Sequence, residues 1–191
     1  LTTGDLDYYL GCRDTAESFE YKVNGGKLTD FGDDYAISQM YLTLNALSPD
    51  ADYKLAGTIA NADYNMDLGK VDYHWCDALF MSGMVYTELT KLTGDPVYSD
   101  TEYKSYKEWY EKLYSPDNDL WYRDLGYVGK TTPSGKPIFW SRGNAWVFAY
   151  LARQLSYLKD RDSDMYQRYI ADYKKLAVSL KPLQRPDGTW N

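Results

Sequence analysis

Tyr73-His74-Trp75-Cys76-Asp77-Ala78-Leu79-Phe80-Met81 sets one carboxylate, Asp77, among aromatic rings, a thiol and a run of apolar side chains. Downstream, Met81, Met84, Val85, Glu88 and Leu92 recur at helical spacing, and Thr93-Gly94-Asp95-Pro96 supplies a stop. Asp77 therefore belongs in or beside the first turns of a helix of about five turns. Partial desolvation penalises the charged form of an acid, so the pKa of Asp77 is expected to rise. A carboxyl that keeps its proton near neutral pH can act as a general acid. Asp is also a frequent helix N-cap, and on this stretch alone that second reading stays open.

Further helices flank this one. Residues 5–22 fit a short helix through Leu6, Tyr9, Leu10, Ala16 and Phe19, ended by Asn24-Gly25-Gly26. Asp33-Asp34 opens another, with Ile37, Met40, Tyr41, Leu44 and Leu47 on one face. Ser48-Pro49-Asp50 ends it and starts the next, which carries Leu55, Ile59 and Ala60. A helix from about Val97 to Leu113 carries Tyr103, Tyr106, Trp109, Tyr110 and Leu113 inside an otherwise charged surface. Phe139 to Asn144 leads into one with Trp146, Ala149, Tyr150, Ala152 and Leu155. Ser163 caps the last, through Tyr166, Tyr169, Ile170, Tyr173, Leu176, Ala177 and Leu180, and Lys181-Pro182 ends it.

Only residues 115–141 break the rhythm. Ser115-Pro116-Asp117-Asn118-Asp119 is turn chemistry, Leu120 to Asp124 reads as extended, and a minor hairpin-like insertion is expected around 118–141. Leu47 to Tyr53 resembles Leu92 to Tyr98, and Asp119-Leu120-Trp121 resembles Asp187-Gly188-Thr189-Trp190. Stacked helical hairpins produce such recurrences. The expectation is an all-α repeat filling one domain over residues 1–191.

Composition narrows the partners. A net charge of −7 with no Lys/Arg run argues against nucleic acid and against anionic membrane surfaces. No apolar run reaches the length of a membrane span. One His and two Cys, Cys12 and Cys76, offer no ligand set, so neither a metal nor a cofactor is expected. The 21 tyrosines suit helix packing, and their flat faces with polar edges also suit sugar rings. The chain begins at Leu1 without a Met, so the lack of a visible leader says nothing about compartment.

His74 to Met81, together with Phe139-Trp140-Ser141-Arg142-Gly143-Asn144-Ala145-Trp146, resembles glycoside hydrolase family 105, the unsaturated rhamnogalacturonyl hydrolases. Asp33 to Tyr41 resembles that family's preceding acidic helix start, and Gln184 to Trp190 its later turn, in the family's order. The resemblance implies a partial (α/α)6 toroid with its site at the mouth. Asp77 matches the catalytic acid/base and Asp34 a second carboxylate near it. Trp75, Trp140, Arg142 and Trp146 match substrate-contacting positions. Some members carry a His near Tyr122 where this chain has Arg123, which directs attention to the outer part of the site. A bacterial protein of the periplasm or cytoplasm is implied, with the periplasm preferred.

The implied reaction removes a 4,5-unsaturated uronic acid from the non-reducing end of lyase-generated pectin fragments. Protonation of the C4=C5 enol ether at C4 by Asp77 yields an oxocarbenium-like cation, which water traps at C5. The usual paired attack at the anomeric carbon is bypassed. Arg142 can grip the uronate carboxylate with two parallel hydrogen bonds, and the tryptophans can stack on sugar faces. Two alternatives stand beside this one. An unsaturated glucuronyl hydrolase on glycosaminoglycan fragments would share the chemistry, and a non-catalytic helical-repeat carbohydrate-binding protein would not need Asp77. For Asp34 a purely helix-capping role is equally open. The six or seven helices counted fall short of the twelve in a closed toroid. The expectation is thus a piece of the domain, prone to self-association through its open ends.

Overall fold

The computed structural model describes residues 4–49, 53–69, 71 and 73–190. Among these, eight α-helices carry the fold: α1 Leu6–Ser18, α2 Gly32–Tyr35, α3 Ser38–Leu47, α4 Tyr53–Asp67, α5 Met84–Thr93, α6 Val97–Leu113, α7 Ser141–Tyr157 and α8 Asp164–Leu180. Helices α3, α5 and α7 pack on one another in succession, and each is backed by the helix that follows it, α4, α6 and α8. This is the all-α hairpin architecture expected, an arc of an α/α toroid.

Local chemistry explains the boundaries. Asp5 caps α1 by accepting from the amide of Asp7, and Ser163 caps α8 by accepting from that of Tyr166. Gly94, in the left-handed region at φ 76°, closes α5 where the Thr93-Gly94 stop was read. The expected helix over 5–22 ends earlier, at Ser18, because Glu20 and Tyr21 take positive φ and Tyr21 turns into the core. The continuous helix expected from Asp33 is broken at Ala36-Ile37, so that Leu47 is exposed while Ser38 and Asn45 are buried. Ala60 and Ala152, expected inside, are exposed. Asp50, in the Ser48-Pro49-Asp50 stop, lies outside the described residues.

The hairpin begins before the expected insertion. Two short antiparallel strands, β1 Tyr114–Ser115 and β2 Leu120–Trp121, pair immediately after α6, and residues 122–140 then run as a loop to α7. Buried Asn144 holds β2 to α7: its Oδ1 accepts from the Trp121 amide (2.8 Å) and its Nδ2 donates to the Trp121 carbonyl (2.9 Å).

The core is rich in tyrosine, and its polar atoms are paired across helices. Glu102 of α6 is buried and accepts from Tyr169 of α8 (2.7 Å), from Tyr73 (3.3 Å) and from Tyr150 of α7. Buried Asp172 of α8 accepts from Tyr106 of α6 (2.8 Å). Burial raises the Glu102 pKa to about 7, against the pull of the three phenol donors. No helix among the described residues is long and apolar enough to cross a membrane.

Candidate active site

Asp77 closes a short turn (Ala78 N–H to Trp75 O, 3.0 Å) and leads into a π-helical turn, Leu79–Gly83, that runs on into α5. Wide turns of this kind are uncommon and recur at functional sites. Gln39 of α3 fastens this one, its Nε2 donating to the carbonyls of Phe80 (2.7 Å) and Met81 (3.0 Å). Arg153 of α7 in turn donates to Gln39 Oε1 (2.7 Å) and to Glu88 of α5 (3.0 Å). Three successive hairpins are thus tied behind the acid.

Two glycines let the neighbouring segments close in. A Cβ on Gly32, the first residue of α2, would lie 3.1 Å from Ala78 Cβ, so the acidic start of α2 sits directly against the Asp77 turn. A Cβ on Gly143 would lie 2.4 Å from the Trp140 ring and 2.7 Å from Cys76 Sγ, closer than any side chain could be accommodated. The motifs around Asp33, Asp77 and Arg142 therefore meet in space, although 109 positions separate the first from the last.

The half-buried Asp77 carboxyl is raised above the ordinary range, first by desolvation and then by the negative charge of Asp33. Backbone amides and the Arg142 guanidinium pull the other way without reversing it. The repelling neighbour is thus Asp33, where the sequence pointed to Asp34. Asp34 instead accepts from Thr29 Oγ1 (3.2 Å), a residue anchored by its amide to Asn61 Oδ1. Neither acid caps α2, whose N-cap Phe31 has no side-chain capping bond. Adjacent residues on a helix point about 100° apart, so only one of the pair can face the turn.

Of the remaining candidates, Trp75, Trp140, Arg142 and Arg123 line one cleft, and Trp146 lies outside that lining. Arg142 is exposed and stacks over Trp140 at 4.8 Å. Trp75 is 41% exposed. Trp146 is half-buried, its ring 4.7 Å from Phe80 in the π-helical turn. Arg123 sits between two rings, Trp75 at 4.7 Å and Tyr127 at 4.3 Å, and its Nε donates to Asp124 at 2.7 Å. The loop that carries Arg123 is pinned to the acid's own segment: Cys76 N–H donates to the Arg123 carbonyl (2.9 Å), and Trp75 bridges Asp124. Trp75, Arg123, Tyr127, Ile138, Phe139, Trp140 and Arg142 enclose a cleft of about 320 Å³. A larger groove of about 560 Å³ runs past Ser141, Phe148, Leu180 and Trp190, and Arg142 borders both. Buried Cys76 has its thiol pKa raised by desolvation, which suits a packing role. Among the described residues no three His, Cys, Asp or Glu gather where they could hold a metal.

Sequence reasoning set Asp34 beside Asp77 where the structure brings the charge of Asp33 to bear on it, and it did not single out Tyr127 or Gln39. Tyr127 carried one signal, an aromatic in a glycine-rich loop four residues from an arginine. Gln39 carried none, because its role depends on a helix break and a wide turn that periodicity does not reveal.

An arc of α/α hairpins whose helix starts gather a raised carboxyl, a second acid, an exposed arginine and tryptophans defines an α/α-toroid domain with a cleft lined by rings and cations. More closely, the chain belongs to Glycosyl Hydrolase Family 88, whose model matches residues 1–191. It is 35% identical over 133 residues to an unsaturated 3S-rhamnoglycuronyl hydrolase of Alteromonas sp. (strain LOR), covering 69% of this chain and 32% of that protein. A family 88 glycosyl hydrolase structure from Bacteroides vulgatus superposes with a TM-score of 0.90 at 30% identity, over 98% of this chain and 58% of that one. A structure described as a polysaccharide lyase superposes equally well, at TM-score 0.90 and 30% identity over 99% of this chain and 58% of that one. Family 105 structures share the fold at 18% identity. The chain spans about a third of the curated relative's length.

Proposed function

We propose that this domain belongs to a hydrolase that removes a 4,5-unsaturated uronic acid from the non-reducing end of lyase-generated oligosaccharides, with Asp77 as acid/base and Asp33 as its partner. The observation that carries the reading is the half-buried Asp77 carboxyl, raised by desolvation and by Asp33, with Arg142 beside it. A protonated Asp77 delivers its proton to C4 of the enol ether, and positive charge develops over C5 and the ring oxygen. Asp33, as the anion, stabilises that charge. Water adds at C5 and returns a proton to Asp77, so the acid is regenerated. The C5 hemiketal opens, and the resulting C1 hemiacetal collapses and releases the leaving sugar. Arg142 holds the uronate carboxylate through its planar fork, and Trp75, Trp140 and Trp146 offer faces to the sugar rings. Asp34 supports the start of α2 through Thr29.

The leaving sugar in this reading is rhamnose, in line with the rhamnoglycuronyl unit for which the Alteromonas relative is named. The family 105 and pectin version expected from sequence is one form of this reading, and the glycosaminoglycan version is its competitor. Incubation with unsaturated rhamnoglycuronyl, rhamnogalacturonan and glycosaminoglycan disaccharides, following the ultraviolet absorbance of the double bond, separates them. Asp77→Asn should lower turnover on the order of 10²-fold or more with affinity kept. Wild-type turnover should fall as pH rises through the Asp77 pKa, because the protonated form is the active one. Near-normal turnover by the Asn variant would refute the assignment.

A further inference from the structure

In an α-helix a carbonyl accepts from the amide four residues on, and a π turn moves that partner to the fifth residue. One residue is thereby added to the turn, and the chain before it is rotated by about 100° relative to the helix that follows. Asp77 stands just before the π-helical turn Leu79–Gly83, so the width of that turn sets which way the acid faces relative to α5. Gln39 Nε2 donates to two carbonyls inside the turn, those of Phe80 (2.7 Å) and Met81 (3.0 Å). The amide is oriented from its other side. An arginine can only donate, so Arg153 Nη1 at 2.7 Å takes Gln39 Oε1 and leaves the amide nitrogen facing the turn. Arg153 is itself held by Glu88 of α5 (3.0 Å) and lies 5.3 Å from the centre of the Phe80 ring. The far end of the turn is fixed too, because Gly83 packs so tightly that a Cβ there would lie 3.0 Å from both Tyr73 and Tyr150.

Gln39 also stands on the α2–α3 segment that brings Asp33 to the acid. The titratable and charged groups that bear on Asp77 are Asp33 from α2, Arg142 from the start of α7 and the neighbouring Cys76 thiol. A single side chain therefore ties the turn behind the acid to the segment of its carboxylate partner.

We propose that Gln39 is a positioning residue for the proton transfer: by holding the Phe80 and Met81 carbonyls it keeps the turn wide, and the wide turn keeps the Asp77 carboxyl facing Asp33 and Arg142. Arg153 acts one step further back, by orienting Gln39. The assignment rests on the enol-ether reading given above, in which Asp77 is the acid.

The test measures kcat and KM on an unsaturated uronyl disaccharide that the wild-type enzyme carrying this domain turns over. Gln39→Met keeps the length of the side chain and removes both donors. Its kcat should fall by about 10- to 100-fold, with KM changed by no more than about twofold. Its turnover should also be lost at lower pH than in wild type, since an Asp77 turned away from Asp33 releases its proton more readily. Gln39→Glu still accepts from Arg153 but offers the carbonyls no amide, and it should behave alike. The decisive comparison repeats Gln39→Met in an Asp77→Asn background. A residue that acts through Asp77 has little left to lose there, so the further drop should be under about threefold. A drop of the same size in both backgrounds would overturn the assignment. So would wild-type kcat and pH profile in both Gln39 variants while Asp77→Asn is impaired, and either result leaves the enol-ether reading intact. Where a melt shows that Gln39→Met does not fold, the same cycle is run with Gln39→Glu, and collapse of both would make Gln39 a folding residue and overturn the assignment as well. Near-normal turnover by Asp77→Asn alone, or no turnover of any unsaturated disaccharide by wild type, would remove the enol-ether reading and this proposal with it.

Discussion

Glu102 offers a measurement that isolates one buried group. Its carboxyl is 1% exposed and its pKa is raised from the usual 4.5 to about 7, chiefly by desolvation. Between those two values the folded state keeps a proton that the unfolded chain has released, so the unfolded state binds fewer protons. Stability must then be highest on the acid side and fall as pH rises through that window. A displacement of this size corresponds to about 3 kcal/mol, at roughly 1.4 kcal/mol for each tenfold in proton affinity. Glu102→Gln keeps the shape and removes the titration. Its absolute stability depends on how the hydroxyls of Tyr73, Tyr150 and Tyr169 reorient, so the informative quantity is the gap between variant and wild type. Urea unfolding at pH 4.5 and at pH 8 should show that gap moving by about 3 kcal/mol, in favour of Gln at the higher pH. A gap that stays within about 0.5 kcal/mol across the range would refute the argument, because it would mean that Glu102 titrates alike in both states.

Two further outcomes follow from the site. Arg142→Lys keeps the charge and loses the fork, so binding of unsaturated uronides should weaken by about tenfold while the melting temperature hardly moves, since the side chain is exposed; calorimetric titration and a melt on the same sample decide it. Gly143→Ala gains up to about 1 kcal/mol of helix propensity but places its Cβ 2.4 Å from Trp140 and 2.7 Å from Cys76, so a net loss of about 1–3 kcal/mol is expected, partly recovered by adding Cys76→Ala in a double-mutant cycle.

The helices were legible wherever an apolar stripe met a stop signal. The bounds Val97–Leu113 matched, the Ser163 hydroxyl caps α8, and Gly94 takes the left-handed turn that ends α5. Legibility failed where tertiary contacts overrode the local pattern. The Asp33 helix looked continuous, but the chain breaks after Tyr35, and Tyr35 reaches across to donate to the Thr58 carbonyl at 3.0 Å. The site was legible as three motifs because each combines residue types that are unusual together. Which of two adjacent acids faces Asp77 was not, since that depends on the phase of a four-residue helix set by Gly32 against Ala78. Asn144, quoted as part of a substrate motif, turns out to clasp the backbone of Trp121.

The pinning of the 122–127 loop to Trp75 and Cys76 has an evolutionary corollary. The acid is anchored from behind, by Gln39 and Arg153, whereas the outer cation, Arg123, is held from the front by Asp124 and two aromatic faces, on a loop tied back by the Cys76 amide hydrogen bond. Substitutions in the loop can therefore reshape the outer cleft without disturbing the turn that carries Asp77. A lineage changing what the outer cleft accepts would be expected to accumulate its changes there first, and to leave the inner helices almost untouched.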